Sequence, residues 1–224
     1  MARVNGGLRN TALGLAGLLC LHLVGPGPVA AQDSPGVPVG PNRGIVGVFM
    51  GKTSSRQIWT PPFASARLEG LTFGLFVDVQ TPIPFLSVRA EGGYVGRGTV
   101  VWDQAQDPAR AAEAKVRSHY LTLPIHGKAA VGWGPLAGYV FAGPTVDILI
   151  SSECSSQFCQ VVRGERGMVV NVAVGLGFGL EWPGGFRSDM EARITEGLSE
   201  AYLGDRDSAR NRSVELLVRL GKPL

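Results

Sequence analysis

The sequence predicts an all-β chain that closes as an eight-stranded antiparallel up-and-down barrel and crosses a membrane with its strands. Three observations carry this: period-two hydropathy along most of the chain, large apolar residues on one face of each strand against small or charged ones on the other, and connections that alternate short and long. The clearest strand lies between Met168 and Trp182. One face holds Met168, Val170, Val172, Val174, Leu176, Phe178, Leu180 and Trp182; the other holds Val169, Asn171, Ala173, Gly175, Gly177, Gly179 and Glu181. Successive side chains of a strand point to opposite faces. A soluble barrel turns its apolar face inward, where space is short. Here the small and polar set suits an interior, so the greasy face is expected against lipid.

The elements follow in chain order. An opening strand at 43–52 is short and weakly polarised. The second, 69–80, sets Leu71, Phe73, Leu75, Val77 and Val79 against Thr72, Gly74, Phe76, Asp78 and Gln80. The third, 84–98, sets Leu86, Val88, Ala90 and Tyr94 against Arg89 and Glu91. The fourth, 118–131, sets Leu121, Leu123 and Ile125 against Thr122, His126 and Lys128. The fifth, 136–150, sets Val140, Ala142, Val146, Ile148 and Ile150 against Thr145 and Asp147. The sixth is 168–182. The seventh, 186–196, sets Met190, Ala192 and Ile194 against Arg187, Asp189, Glu191 and Arg193. The eighth, 212–221, sets Val214, Leu216, Val218 and Leu220 against Glu215 and Arg219. Most have the roughly ten residues that a tilted strand needs to cross a bilayer. Long polar connections are expected at 53–68, 99–117, 151–167 and 197–211, and short ones at 81–83, 132–135 and 183–185. That alternation is expected to leave both chain ends in the periplasm. Trp133, Trp182 and Phe186 are expected to ring the periplasmic rim, and Trp59, Trp102 and Tyr94 the outer one.

Composition bounds the rest. Of 224 residues, 45% are hydrophobic and 17% charged, below the roughly 25% charged of ordinary soluble domains. The body of the chain has no apolar run long enough for a membrane helix. Arg3, Arg9, the apolar stretch from Thr11 to Val24 and the small residues Val29-Ala30-Ala31 read as an export signal cut between Ala31 and Gln32. Three segments result: a signal peptide at 1–31, a Pro/Gly-rich periplasmic linker at 32–42 and the barrel at 43–224. The formal charge is +3, and removing Arg3 and Arg9 leaves +1; with no Lys/Arg cluster, a nucleic-acid partner is not expected. Cys20 leaves with the leader. Cys154 and Cys159, in an exported chain, are expected to form a disulfide. No further Cys or His is adjacent to make them a metal site, and neither a metal nor a cofactor is expected.

Tyr120-Leu121-Thr122-Leu123-Pro124-Ile125, followed by a short Gly-rich turn and Gly138-Tyr139-Val140-Phe141-Ala142-Gly143-Pro144, resembles the core of the PorT-like outer-membrane β-barrel proteins. Arg89-Ala90-Glu91-Gly92-Gly93-Tyr94 and Gly175-Leu176-Gly177-Phe178-Gly179-Leu180-Glu181 extend the resemblance over nearly the whole exported part. It implies a barrel in the bacterial outer membrane, in a family of which a minority take part in protein secretion.

The expected interior holds Asp78, Arg89, Glu91, Lys128, Asp147, Glu181, Arg187, Asp189, Glu191, Arg193, Glu215 and Arg219. An eight-stranded barrel is barely wide enough for its own side chains. Charges buried there must pair, because an isolated one is very costly. A filled, salt-bridged, non-conducting interior is therefore expected, with a narrow ion path as the sharper possibility. For catalysis, Ser118 and His119 are adjacent in a strand and must point to opposite faces, the wrong geometry for a nucleophile and its base. His126 reads as a satisfied interior residue. No G-x-S-x-G or H-E-x-x-H occurs. The expected role is structural or interactive rather than enzymatic: envelope integrity, adhesion, or support of an envelope or secretion complex. Expected partners are outer-membrane lipid and, through the long loops, envelope proteins. A lipid-modifying barrel enzyme and a soluble periplasmic ligand-binding barrel are the alternatives. Val174→Arg or Leu176→Arg, facing lipid, is expected to cost about 2–4 kcal/mol, and Gly175→Ser, facing inward, less.

Overall fold

The computed structural model describes residues 44–60, 62, 64–102, 113–154, 165–203 and 208–224. The expected signal peptide, linker and Ala31–Gln32 cleavage point lie outside them. The described strands are β1 (Gly44–Thr60), β2 (Ser65–Gln80), β3 (Leu86–Trp102), β4 (Glu113–Trp133), β5 (Leu136–Cys154), β6 (Met168–Glu181), β7 (Arg187–Gly197), β8 (Tyr202–Leu203) and β9 (Ser208–Pro223). β1 to β6 each pair antiparallel with the next strand, β7 and β8 both pair antiparallel with β9, and β9 pairs back on β1 from Ile45↔Pro223 to Thr60↔Ser208. The sheet is therefore a closed barrel without an edge. β7 leaves β9 at Glu196↔Arg212, and two-residue β8 resumes the same ladder at Tyr202↔Ala209. The barrel thus has eight staves, the seventh interrupted, and no helix among the described residues.

Three tight connections define a turn end, which also holds Gly44 and Leu224, joined by a 2.8 Å backbone bond. The hairpin after Trp133 reverses at Gly134, whose φ of 62° is in the left-handed region, followed by Pro135. Gly184 and Gly185, at φ 95° and 80°, do the same before β7. Only glycine takes these angles without steric cost.

The face assignment from hydropathy holds. Leu71, Phe73, Leu75, Leu121, Ile125, Val174, Leu176, Leu216 and Leu220 point outward and are exposed, while Asp78, Arg89, Glu91, Asp147, Glu215 and Arg219 point inward and are buried. On β4 the outward run from Leu121 to Val131 spans ten steps, about 25 Å of height at a ~40° tilt and ~3.3 Å per residue. That is the height of an outer-membrane apolar belt. An apolar exterior removes the soluble-barrel alternative.

The strand lengths are a correction. β1 runs eight residues past the expected end at 52. β2 begins at Ser65, β3 reaches Trp102, β4 already contains Lys115–Arg117, and β5 continues through 151–154. Most of the described residues in the expected long loops are therefore strand. Above the lipid a strand needs no greasy outer face, so 53–60 and 113–117 lose the apolar alternation and look like loop while keeping their ladder bonds. Residues 61, 63, 103–112, 155–164 and 204–207 of those expected loops lie outside the described residues.

Two prolines sit in central strands. The β3–β4 ladder skips Glu91 and Gly92 opposite Pro124, and the β4–β5 ladder skips Ile125 and His126 opposite Pro144. A proline has no N–H to donate, so each interrupts one ladder locally.

Candidate functional site

Of the twelve expected interior charges, the structure links most into one chain across the lumen. Asp78 and Arg89 are direct cross-strand partners on β2 and β3, 3.2 Å apart, and Lys128 reaches the same Asp78 oxygen from β4. Arg89 crosses to Glu191 on β7 at 2.7 Å. Glu191 accepts from Arg219 on β9 at 2.9 Å, and Arg219 also holds Glu91 at 2.6 Å. Glu91 binds Arg193 at 2.9 Å, and Arg193 binds its ladder partner Glu215 at 2.7 Å. From Glu215 the chain passes to Arg97 at 3.5 Å, then to Asp147 at 2.6 Å, where Asn171 donates at 2.7 Å. Five cations (Lys128, Arg89, Arg219, Arg193, Arg97) thus meet five carboxylates (Asp78, Glu191, Glu91, Glu215, Asp147). Each ion has at least one counter-ion, which offsets the large desolvation penalty of burying it.

The guanidinium planes are sandwiched as well as paired. Arg89 lies 5.4 Å from both the Phe76 and Tyr139 ring centres, and Arg219 lies 5.0 Å from Phe49 and 5.3 Å from Phe76. Delocalised, weakly hydrated Arg suits such sites. Near the turn end Arg187 binds Asp189 at 2.8 Å. Glu181 departs from the expectation: its side chain is 48% exposed at the mouth, 4.0 Å from Arg187. It is the last residue of β6, where the barrel no longer encloses it.

Three further features were not foreseen. Arg97 joins Asp147 to the rest of the network; its odd position on β3, in step with Arg89 and Glu91, was the available signal. His126 is wholly buried, its ring 4.9 Å from Phe141 and its Nδ1 3.7 Å from Glu91, and neither nitrogen has a hydrogen-bond partner among the described residues. It is an interior residue, but a poorly satisfied one. The third is an apolar plug toward the loop end, built from inward residues Trp59, Val95, Val101, Val116, Tyr120 and Tyr202. Trp59 is 6% exposed and packs against Tyr202, the ring centres 5.6 Å apart and the planes tilted by 31°, so it is not part of an outer aromatic ring. Trp133 and Trp182, 66% and 52% exposed, do stand on the outside at the turn end with Phe186. The Tyr202 hydroxyl donates to Glu165 at 2.9 Å and shares a 3.0 Å bond with Ser118. Burial raises its phenol above the ordinary range.

Ser118 is thus tied up inside, while His119 lies on the outer surface, where its Nδ1 is hydrogen-bonded to the Tyr94 hydroxyl and its ring stacks on Tyr94 at 5.7 Å. The two residues face opposite sides of the wall. Cys154 is the last residue of β5, and Cys159 lies outside the described residues.

The family model described as "Outer membrane protein beta-barrel domain" matches residues 31–202. The chain belongs to that family. No curated protein matches this outer-membrane barrel. Among solved structures it is similar to Neisserial surface protein A (NspA), at 10% identity and a TM-score of 0.43, covering 79% of this chain and 95% of that one. It is similar to Ail, the attachment invasion locus protein of Yersinia pestis, at 12% identity and a TM-score of 0.34, covering 79% and 98%. It is also similar to the outer membrane protease OmpT of Escherichia coli, at 9% identity and a TM-score of 0.39, covering 82% and 96%.

Proposed function

We propose that this outer-membrane barrel is a closed, non-catalytic scaffold whose elongated strands carry loops beyond the membrane for envelope integrity, adhesion or support of an envelope complex. The observation that supports this best is the ion-pair chain from Lys128 to Asn171, which spans the lumen, with the apolar plug of Trp59 and Tyr202 toward the loop end. A side-chain-filled interior leaves the exterior and the loops as working surfaces, and loops on a rigid scaffold commonly carry binding. The divergence of Ser118 and His119 favours the non-enzymatic reading. In this reading the turn end, with both chain ends, faces the periplasm after cleavage at Ala31–Gln32. Cys154 pairs with Cys159, and kinship is with the PorT-like branch of the family.

Planar-bilayer recording of the purified, folded protein tests the closed lumen. The expected record is flat over the usual voltage range. Reproducible steady conductance steps from the unaltered protein would overturn the reading.

A further inference from the structure

The outer wall carries a feature that neither the closed lumen nor the loops use. A cleft of about 560 Å³ lies where β1 to β4 leave the lipid, bordered by Lys52, Glu69, Tyr94, Arg117 and His119. Directly adjoining it, an apolar groove of about 720 Å³ passes between Met50, Phe73, Leu75, Gly92 and Leu121. Both are the size of typical small-molecule sites. Phe73 and Tyr94 border both. They stack at 5.1 Å, and His119 continues the stack, so three aromatic rings form the shelf between groove and cleft.

The groove exists because Gly92 faces outward without a side chain: a Cβ there would meet only Leu123 Cδ2, at 3.8 Å. The cleft is cationic. Among the described residues, exposed Lys52 and Arg117 have no ion-pair partner, while the single carboxylate, Glu69, has none either. Arg97 also borders the cleft but is committed to Asp147 and Glu215. An occupant that fills both spaces must be apolar at lipid depth and carry acceptor charge at the boundary, with a donor for Glu69.

We propose that this face is a specific site for a phospholipid with a phosphate and ammonium headgroup. The phosphate is held by Lys52 and Arg117 beside His119, the ammonium faces Glu69, and one acyl chain lies in the Gly92 groove. Phosphate attracts such donors strongly because both partners are charged. The site lies on the exterior and is independent of whether the lumen conducts.

The test is native mass spectrometry of the folded full chain released from detergent micelles containing either dioleoyl-phosphatidylethanolamine or dioleoylglycerol, which has the same chains and no headgroup. One phospholipid should be retained about tenfold better than the diacylglycerol. The Lys52→Gln/Arg117→Gln double variant should retain the two equally, and Gly92→Leu, which fills the groove, should lower both. Folding of each variant is checked by heat-dependent gel migration. Equal retention of the two lipids by the unaltered protein, or retention unchanged in the double variant or in Gly92→Leu, overturns the proposal.

Discussion

Gly175 shows how far a residue's face differs from its room. It points inward, as alternation requires, and a serine there reads as mild from hydropathy alone. In the folded barrel a Cβ on Gly175 would lie 2.3 Å from Phe141 Cζ and 2.5 Å from the Ala192 carbonyl. Phe141 is its direct ladder partner and covers it; Tyr139 covers Gly177 in the same way. The small face of β6 is small because aromatic rings of β5 lie across it, an arrangement that rescues strand glycines. The backbone oxygen cannot move aside, so Gly175→Ser is expected to cost about 1–3 kcal/mol, comparable with Val174→Arg, where the sequence predicted a clear gap. Gly92→Ala, facing open space, should stay within about 0.5 kcal/mol. Equilibrium urea unfolding in lipid vesicles ranks all three; a harmless Gly175→Ser would mean that the rings of β5 do not pack as described. Arg219 supplies the second residue-scale expectation. It holds Glu91 at 2.6 Å and Glu191 at 2.9 Å, all three buried. Arg219→Met leaves two carboxylates short of a cation and should cost about 3–5 kcal/mol in the same assay.

At the scale of elements, the strands outlast the membrane. Ser55 Oγ accepts from the Gly98 N–H at 2.8 Å and the β1–β9 ladder runs on to Thr60↔Ser208, well past Met50, where the unbroken apolar outward run of β1 ends. Both faces of β3 are buried from Val95 to Val101. Backbone amides of β1 between Ser55 and Ile58 should therefore exchange slowly, as membrane-embedded amides do and loop amides do not. Hydrogen exchange of the reconstituted protein measures this. Exchange within seconds over that stretch would return it to the loop that its polarity suggests. Pro124 and Pro144 make the opposite point: they sit in central strands, where their missing donors produce the ladder gaps at Glu91–Gly92 and Ile125–His126.

For the whole molecule, polarity inverts along the barrel axis. In the membrane half, leucines and valines face out and the ion pairs face in; toward the loop end Lys52, Glu69 and Arg117 face out and Trp59, Val101 and Val116 face in. The lower half obeys lipid and the upper half water. The same alternating chain serves both, because strand geometry fixes only that neighbours face opposite ways. If the ion-pair chain closes the lumen, truncating it should open a path: Arg89→Ala/Arg219→Ala is expected to conduct in planar bilayers where the unaltered protein does not. A silent double variant that still folds would place the seal in the apolar plug instead.

Read along the chain alone, the fold class, the eight staves, their order and the lipid-facing residues are already legible. These follow from local alternation and from the short turns, both written in neighbouring residues. Parity alone also places Asp78, Arg89, Glu91, Glu191, Arg193 and Glu215 inside. Tertiary structure decided everything that depends on what stands across the lumen or along the wall: that Arg97 joins Asp147 to Glu215, that Trp59 turns inward onto Tyr202, that Gly175 has no spare room, and that Glu181 escapes to the mouth. Partners such as Arg97 and Glu215, 118 residues apart in the chain, meet only when the sheet closes, and where each strand leaves the lipid is set by the height of the bilayer against the closed barrel.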